Sequence, residues 1–431
     1  MENTNSNDKK VLIVLLDALR HDYLNSEDTP FLYSLSNKSI YVKKLVPGYG
    51  FCERSEILTG SDCSVTGNFS AYTYNPNKSP FNYLKHFHLF TSLLDSIEDL
   101  FLLRFPSKYT IYFDKLQRQL RKRLQRYYRY FRHCYDWNQI PFKFFNLFEL
   151  TEDTFPHTSS NAFEVPSIYD LLIDKELSFY HGFQDLANDL KNSYNTELEN
   201  LYSSFSENNT FTTFAIGHLD TITHKYGTSR SARLETLKNV DNMAKSIFLK
   251  FKEKNPSGYV IFFGDHGMLD VKKNFDAKSS IDHYLKRKRL KVPSDISYFL
   301  DSTMVRFWGS KSHIINDLVH SNEWSQYGKV IDVDFANKLG LNNFKHNYGE
   351  IIWWANPGIV VFPDFFRRYD PPLGMHGYDI NHDDHKGLAL LSGYDISHKL
   401  IDEGHLVDIA PTVCRLLDLG RLIHSNGKSW V

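Results

Sequence analysis

Three short runs rich in apolar and β-branched residues are the strongest structural pattern in the chain. The first runs from Val11 to Leu16, and the others cover residues 210–216 and 259–263. A run of this kind and length is typical of a parallel strand that is covered on both faces. Residues 235–250, between the last two runs, carry apolar positions at helical spacing. Strands that alternate with helices predict an α/β fold.

Polar residues with metal-binding side chains directly follow each of these predicted strands. Asp17 ends the first strand, Asp220 and His224 follow the second, and Asp265 and His266 follow the third. In open α/β sheets, binding sites form beyond the carboxyl ends of the strands. We therefore expect these five side chains to meet at one edge of the sheet.

A sixth residue of the same kind, His376, lies much further along the chain in the sequence Gly-Met-His-Gly-Tyr-Asp. Carboxylates and imidazoles are ligands that can hold two cations about 4 Å apart, as two-metal phosphoryl chemistry requires. Taken singly, each motif has an ordinary interpretation, because Asp17 could cap a helix and Asp-His-Gly could form a turn. The six residues in this order favour a two-metal site.

The composition excludes several classes of protein. The 431 residues are 42% hydrophobic and 23% charged, as in an ordinary globular protein, and 50 Lys and Arg balance 51 Asp and Glu. This balance gives no reason to expect nucleic acid as a partner.

Four cysteines without zinc-finger spacing favour a reducing compartment, which we take to be the cytoplasm. No apolar run predicts a transmembrane helix, so membrane contact could only be peripheral. The sequence does not predict an oligomeric state.

Two stretches, residues 82–158 and 272–345, interrupt the alternation of strands and helices. The first holds a basic, aromatic-rich block at residues 115–137. A helix on a membrane surface or a clamp over an anionic substrate would use this mixture, and the alternative is a solvated basic face whose aromatic side chains pack on the core. We expect both stretches to be insertions that cap the site, on a core that spans residues 8–431.

The ordered motifs resemble those of the type I phosphodiesterase and nucleotide pyrophosphatase branch of the alkaline phosphatase superfamily. The resemblance extends from about Val11 to Leu419, apart from the two insertions. It rests on LLDALRHDYL, ILTG, HLDTITHKYG, FFGDHGM and GMHGYD, together with the closing stretch VDIAPTVCRLLDL. It implies an alkaline phosphatase-like α/β core, with a mainly parallel central sheet flanked by helices on both faces.

The resemblance also implies how the ligands are divided between two metal ions. The sets are Asp220, His224 and His376 for one metal, and Asp17, Asp265 and His266 for the other. The nucleophile would bridge toward the second metal, which makes Cys52, the favoured candidate, a further predicted ligand. The metals of this superfamily are usually zinc, with manganese or others in some branches. Three carboxylates and three imidazoles suit zinc and do not exclude manganese or iron.

The nucleophile is where the sequence departs from the family pattern. Relatives usually carry Thr or Ser ten residues before the Gly of the Leu-x-Thr-Gly motif, and here that position is Gly50. The nearest candidates are Cys52 and Ser55. We favour Cys52, because backbone N–H groups at a helix start would lower the thiol pKa and hold a phosphate. Ser55 stays open, since a metal can activate a hydroxyl. Arg54 would clamp the phosphate.

The implied function is metal-dependent hydrolysis of a phosphate ester, through a metal-bound nucleophile and a covalent phospho-enzyme. The substrate would be a small molecule or a glycan or lipid phosphate ester. Two other classes stay open, a transferase that passes the phospho-group to a glycan or lipid acceptor and a noncatalytic binding protein. A sulfatase is disfavoured, because the residues after Cys52 lack the Pro and Arg of the Cys-x-Pro-x-Arg pattern.

Overall fold

A computed structural model describes residues 9–104, 119, 140–152, 155–183, 193–341 and 347–431. The basic block predicted at residues 115–137 lies outside the described residues apart from Gln119, so its role stays a prediction. None of the described helices is long and apolar enough to cross a membrane.

The strands alternate with helices over much of the described chain. The strands are β1 (Val11–Leu16), β2 (Ile40–Val46), β3 (Tyr72–Tyr74), β4 (Phe148–Leu150), β5 (Phe179–Gly182), β6 (Phe211–Ile216), β7 (Tyr259–Phe263), β8 (Leu269–Asp270), β9 (Lys273–Phe275), β10 (Ser297–Leu300), β11 (Met304–Trp308), β12 (Gly328–Val330), β13 (Ile351–Ala355), β14 (Ile359–Val361), β15 (Gly374–Met375), β16 (Gly387–Ser392) and β17 (Lys399–His405). The α-helices are α1 (Pro30–Ser36), α2 (Glu53–Thr59), α3 (Cys63–Thr66), α4 (His88–Arg104), α5 (Ile168–Asp174), α6 (Ser193–Ser204), α7 (His218–Tyr226), α8 (Arg230–Lys254), α9 (Ala277–Lys288), α10 (Asn316–Val319), α11 (Asn322–Ser325), α12 (Val333–Lys338) and α13 (Ile409–Leu416).

The chain divides into two compact units. The first comprises residues 1–66, 157–270 and 372–431, and the second comprises residues 67–156 and 271–371. The insertion boundaries expected from the sequence, and the expectation that the insertions cap the site, stay predictions.

A seven-stranded sheet organises the first unit. Its strand order is β17-β2-β16-β7-β1-β6-β5. The strands β5, β6, β1 and β7 pair in parallel, β17 is parallel to β2, and β16 is antiparallel to both of its neighbours. The sheet is therefore mainly parallel, which confirms the predicted fold class.

Both faces of this sheet are covered by helices, as the apolar run of β1 predicts. Val11, Ile13 and Leu15 belong to one buried cluster, which includes apolar residues of α2, α5 and α13. Leu12 and Val14 belong to a second cluster, with residues of α1, α6 and α8. Because side chains alternate along a strand, every residue of β1 meets a covered face and none needs to be polar.

The three apolar runs form three adjacent strands. Val11 of β1 pairs in register with Phe211 of β6 and with Tyr259 of β7. Strand β6 begins one residue later than predicted, and the predicted helix at residues 235–250 is the inner part of the longer helix α8. Since β6, β1 and β7 are parallel neighbours, their carboxyl ends lie side by side at one edge of the sheet.

The second unit contains an antiparallel sheet of the order β10-β11-β13-β12. A buried ion pair fixes its interior, with Arg306 Nε 2.6 Å from Asp301 Oδ2. The same guanidinium donates to the carbonyl oxygen of Tyr72, and the hydroxyl of Ser70 donates to Asp301. Arg306 therefore joins the sheet to the strand that contains Tyr72.

Candidate two-metal active site

The first cluster of potential metal ligands follows the carboxyl ends of β1 and β7. Asp17, Asp265 and His266 each offer one ligand atom within 4.8 Å of the others. His266 Nε2 lies 3.3 Å from Asp17 Oδ1 and 3.8 Å from Asp265 Oδ1. The backbone N–H groups of Ala18 and His266 both donate to Asp265 Oδ1, at 3.3 and 3.0 Å. These bonds fix the orientation of the Asp265 carboxylate.

The second cluster combines helix α7 with the loop after β15. Asp220 and His224 are four residues apart on α7, so they share one face of the helix. His224 Nε2 lies 3.2 Å from Asp220 Oδ1, and His376 Nε2 lies 4.0 Å from the same oxygen. One ligand atom of each of the three residues lies within 4.8 Å of the others. The six residues thus lie in the two groups that the family resemblance implies, and their role as metal ligands stays a prediction.

Two of these histidines are oriented as metal-binding histidines usually are. His266 Nδ1 lies 2.9 Å from the carbonyl oxygen of Gly267, and His224 Nδ1 lies 2.8 Å from that of Gly374. A carbonyl oxygen can only accept, so each Nδ1 carries the hydrogen and donates it. In the neutral ring this leaves the lone pair of Nε2 for a cation. The donor set and its orientation both fit divalent metal ions.

The loop that carries His376 is fixed by His385. The backbone N–H of Gly377 donates to His385 Nε2 at 3.0 Å. Burial, aided by the nearby charge of His266, lowers the pKa of His385 to about 3, so this ring stays neutral and can accept the bond. Gly377 has a φ of 81°, and a Cβ at this position would overlap the ring of Phe51. From the sequence, His385 could equally support the ligands or be solvated, and the structure shows that it holds this loop.

Negative charge is crowded around the two clusters. Burial, together with the charge of Asp220, raises the pKa of Asp17 to about 6. Burial and the charge of Asp17 raise the pKa of Asp265 to about 7. For His266, burial opposes protonation, but Asp265 and Asp17 hold the pKa well above its usual value. Carboxylates in this arrangement repel one another unless cations lie between them.

We expect Asp17→Asn to stabilise the metal-free protein at pH 8. The pKa of this acid is near 4 in the unfolded chain and about 6 in the folded protein. The side chain therefore contributes stability at pH values below 4, and this contribution is lost as the pH rises through about 6. The Asp17 side chain is 24% exposed, so water screens part of the repulsion. The gain should be on the order of 1 kcal/mol at pH 8 and smaller at pH 5.

Urea unfolding of both metal-free proteins at the two pH values measures this difference. Glu27→Gln is a suitable control, since the Glu27 side chain is 80% exposed. A metal-free variant that is less stable than the wild type at pH 8 would contradict the repulsion argument.

The candidate nucleophiles lie at the start of α2. Cys52 is the residue before the helix and is buried, and Ser55 in the first turn is also buried. The Ser55 hydroxyl donates to the carbonyl oxygen of Cys52 at 3.0 Å. Cys52 belongs to none of the ligand clusters found among the described residues. Burial and Asp220 raise the pKa of Asp17, and the charge of Arg54 opposes this rise, so the guanidinium acts on the first cluster. The roles of Cys52, Ser55 and Arg54 stay predictions.

Sequence reasoning missed Glu53. It is the first residue of α2, and its carboxylate forms a third cluster with His266 and His376, again within 4.8 Å. Burial raises the pKa of Glu53 to about 7, with His266 opposing this shift and Asp265 adding to it. The only available signal was its place beside Cys52, and nothing in that spacing separates Glu53 from the other acid of the segment, Glu56.

The fold is that of the alkaline phosphatase superfamily. The family model of type I phosphodiesterase / nucleotide pyrophosphatase matches residues 11–379. The chain belongs to this family and is a phosphoric ester hydrolase. No curated protein sequence matches the chain.

Solved structures of family members share the fold. Human ectonucleotide pyrophosphatase / phosphodiesterase 5 is 15% identical, with 97% of each chain covered and a TM-score of 0.66. The murine protein of the same name gives the same identity, coverage and TM-score. An inactive form of the murine protein, solved in complex with AMP, also gives these values. At this identity, the similarity concerns the fold alone.

Proposed function

We propose that the protein hydrolyses a phosphodiester bond in a small, nucleotide-like substrate, with two divalent cations bound by the strand-end clusters. The observation that carries the proposal is the presence of two separate three-residue ligand sets, one around Asp17 and one around Asp220. Both sets lie beyond the carboxyl ends of β6, β1 and β7, where open α/β sheets bind their ligands.

Zinc is the favoured metal, and manganese is the alternative. Imidazole and carboxylate donors suit zinc, whereas magnesium and calcium prefer oxygen donors alone. When bound, two such cations would supply charge stabilisation for the attacking atom and the leaving oxygen of an in-line displacement. The orientation of His224 and His266 through backbone carbonyl oxygens supports this assignment, because it presents Nε2 of each ring to the ligand cluster.

The residues at the start of α2 would carry out the displacement. Cys52 is the favoured nucleophile and Ser55 the alternative. The attacking sulfur or oxygen forms a bond to phosphorus while the bond to the leaving alcohol breaks, and water then hydrolyses the phospho-enzyme. Arg54 would hold a phosphoryl oxygen, since a guanidinium pairs well with phosphate oxygens.

The substrate class rests on two supports. The family includes nucleotide pyrophosphatases by its description. The murine relative was solved with AMP, a product that cleavage of a nucleotide diester or pyrophosphate would leave. A nucleotide phosphodiester such as a dinucleotide is therefore the substrate to test first.

Metal removal is the experiment that tests this function. We expect about two zinc or manganese ions per chain in the purified protein, and chelation should lower turnover of bis(p-nitrophenyl) phosphate at least about 100-fold. Elemental analysis and the release of p-nitrophenol measure these two quantities, and adding back zinc or manganese should restore turnover. A protein without metal that remains inactive after both additions would refute the proposed function.

A further inference from the structure

The third ligand cluster connects the other two. It contains Glu53, His266 and His376. His266 belongs to the first cluster, with Asp17, and His376 belongs to the second, with Asp220. The two imidazole rings are stacked, with centroids 3.7 Å apart and planes within 6° of parallel. The carboxylate of Glu53 therefore lies at the junction of the two predicted metal sites.

The helix that carries Glu53 is well anchored. Ile57 and Leu58 of α2 are fully buried in the core cluster on one face of the sheet. Helix α2 ends at Gly60, which has a φ of 67°, and its N–H donates to the carbonyl oxygen of Glu56 at 2.9 Å. A side chain at the first residue of this helix is thus held by packed neighbours and not by a mobile loop. Such support is what a metal ligand requires.

The charges at the site fit the same interpretation. Asp17, Asp220, Asp265 and Glu53 together carry four negative charges when ionised. Two divalent cations carry four positive charges and would balance them, whereas three carboxylates would leave one positive charge over. Glu53 is only partly exposed, and its carboxylate lies within 4.8 Å of ligand atoms of His266 and His376, so a cation held by these rings would meet it.

We propose that Glu53 is a ligand of the metal centre and joins the two three-residue sets. The proposal rests on the proposed two-metal function and adds a further protein ligand to it. From the sequence, we expected the segment before Gly60 to supply only a nucleophile and an arginine that holds the phosphate. Glu53 here contributes to cation binding itself.

Cobalt binding tests the proposal without relying on turnover. The metal-stripped wild type, Glu53→Gln and Glu56→Gln would be titrated with cobalt(II), followed by calorimetry and by the visible absorption of the bound ion. Glu56→Gln is the matched control, because Glu56 lies one turn later on the same helix and belongs to none of the clusters found in the described chain. Circular dichroism would establish that each variant is folded.

We expect the wild type and Glu56→Gln to bind two cobalt ions with the same affinity and spectrum. Glu53→Gln should bind at least one ion about tenfold more weakly or worse, with an altered visible spectrum. If Glu53→Gln does not fold, Glu53→Asp carries the test, since its shorter side chain should weaken the same ion. An isotherm and spectrum identical to those of the wild type would overturn the role of Glu53 while leaving the two-metal function intact. A wild type that binds no cobalt, zinc or manganese would overturn both.

Discussion

Asp265→Asn is expected to lower turnover of a phosphodiester by about three orders of magnitude, which corresponds to about 4 kcal/mol of transition-state stabilisation. The substitution keeps the size of the side chain and removes its charge. Asp265 follows β7 directly, and its Oδ1 is held by the N–H groups of Ala18 and His266. Because Asn can accept the same two bonds through its own Oδ1, the local backbone should be retained. The loss should therefore come from weaker cation binding at the first cluster.

The measurement is kcat/KM for bis(p-nitrophenyl) phosphate at several zinc and manganese concentrations. Asp270→Asn is the control, since Asp270 lies five residues later and its Oδ1 accepts from the backbone N–H of Thr228 at 2.7 Å. This substitution should alter kcat/KM less than about threefold, because Asp270 is not one of the predicted metal ligands or nucleophiles. A similar loss in both variants would indicate a general structural effect, and no loss in Asp265→Asn would remove the first cluster from the mechanism.

The sheet could be predicted from the sequence because its central strands are buried on both faces. Val11 to Leu16 contains no polar residue, and the structure places successive residues alternately in two core clusters. The polar residues that follow such runs had to lie at the strand ends. Strand β11 of the second unit gave a weaker signal. Arg306 interrupts its apolar residues, because the guanidinium pairs with the buried carboxylate of Asp301.

The candidate site could be predicted only where its residues follow strands or share a helix face. Asp17, Asp265 and His266 are of the first kind, and Asp220 and His224 are of the second. The assignment of His376 and the division into two sets came from the family resemblance, and the structure adds the distances between the side chains.

Glu53 was missed for the opposite reason. Its function depends on the position of α2 relative to His266 and His376, which are more than 200 residues away in the sequence. His385 could not be assigned for a different reason, because its contact is with a backbone N–H group, that of Gly377, which no side-chain motif marks. Side chains that act through tertiary contacts leave no local pattern.

Cys52→Ala and Ser55→Ala should have very different effects if Cys52 is the nucleophile. We expect Cys52→Ala to lower turnover at least about 1000-fold, since removing a nucleophile of a covalent mechanism removes most of the catalysis. Ser55→Ala should lower turnover less than about tenfold. The Ser55 hydroxyl is buried and donates to the carbonyl oxygen of Cys52, which is a local bond at the start of α2. Its loss should have the modest cost of one such bond, about 1 kcal/mol.

Single-turnover kinetics and mass spectrometry of acid-quenched protein would measure the phospho-enzyme directly. An adduct on Cys52 that is absent in Cys52→Ala would establish the thiol, and the reverse result in Ser55→Ala would establish the hydroxyl. Cys52→Ser tests whether a hydroxyl can replace the thiol at this position, and this variant should retain part of the activity. If both alanine variants keep wild-type turnover and form no adduct, water attacks phosphorus without a protein nucleophile. That result would fit the Gly found at position 50, where relatives carry Thr or Ser, and would leave the metal ligands and Glu53 as the main catalytic contribution of the chain.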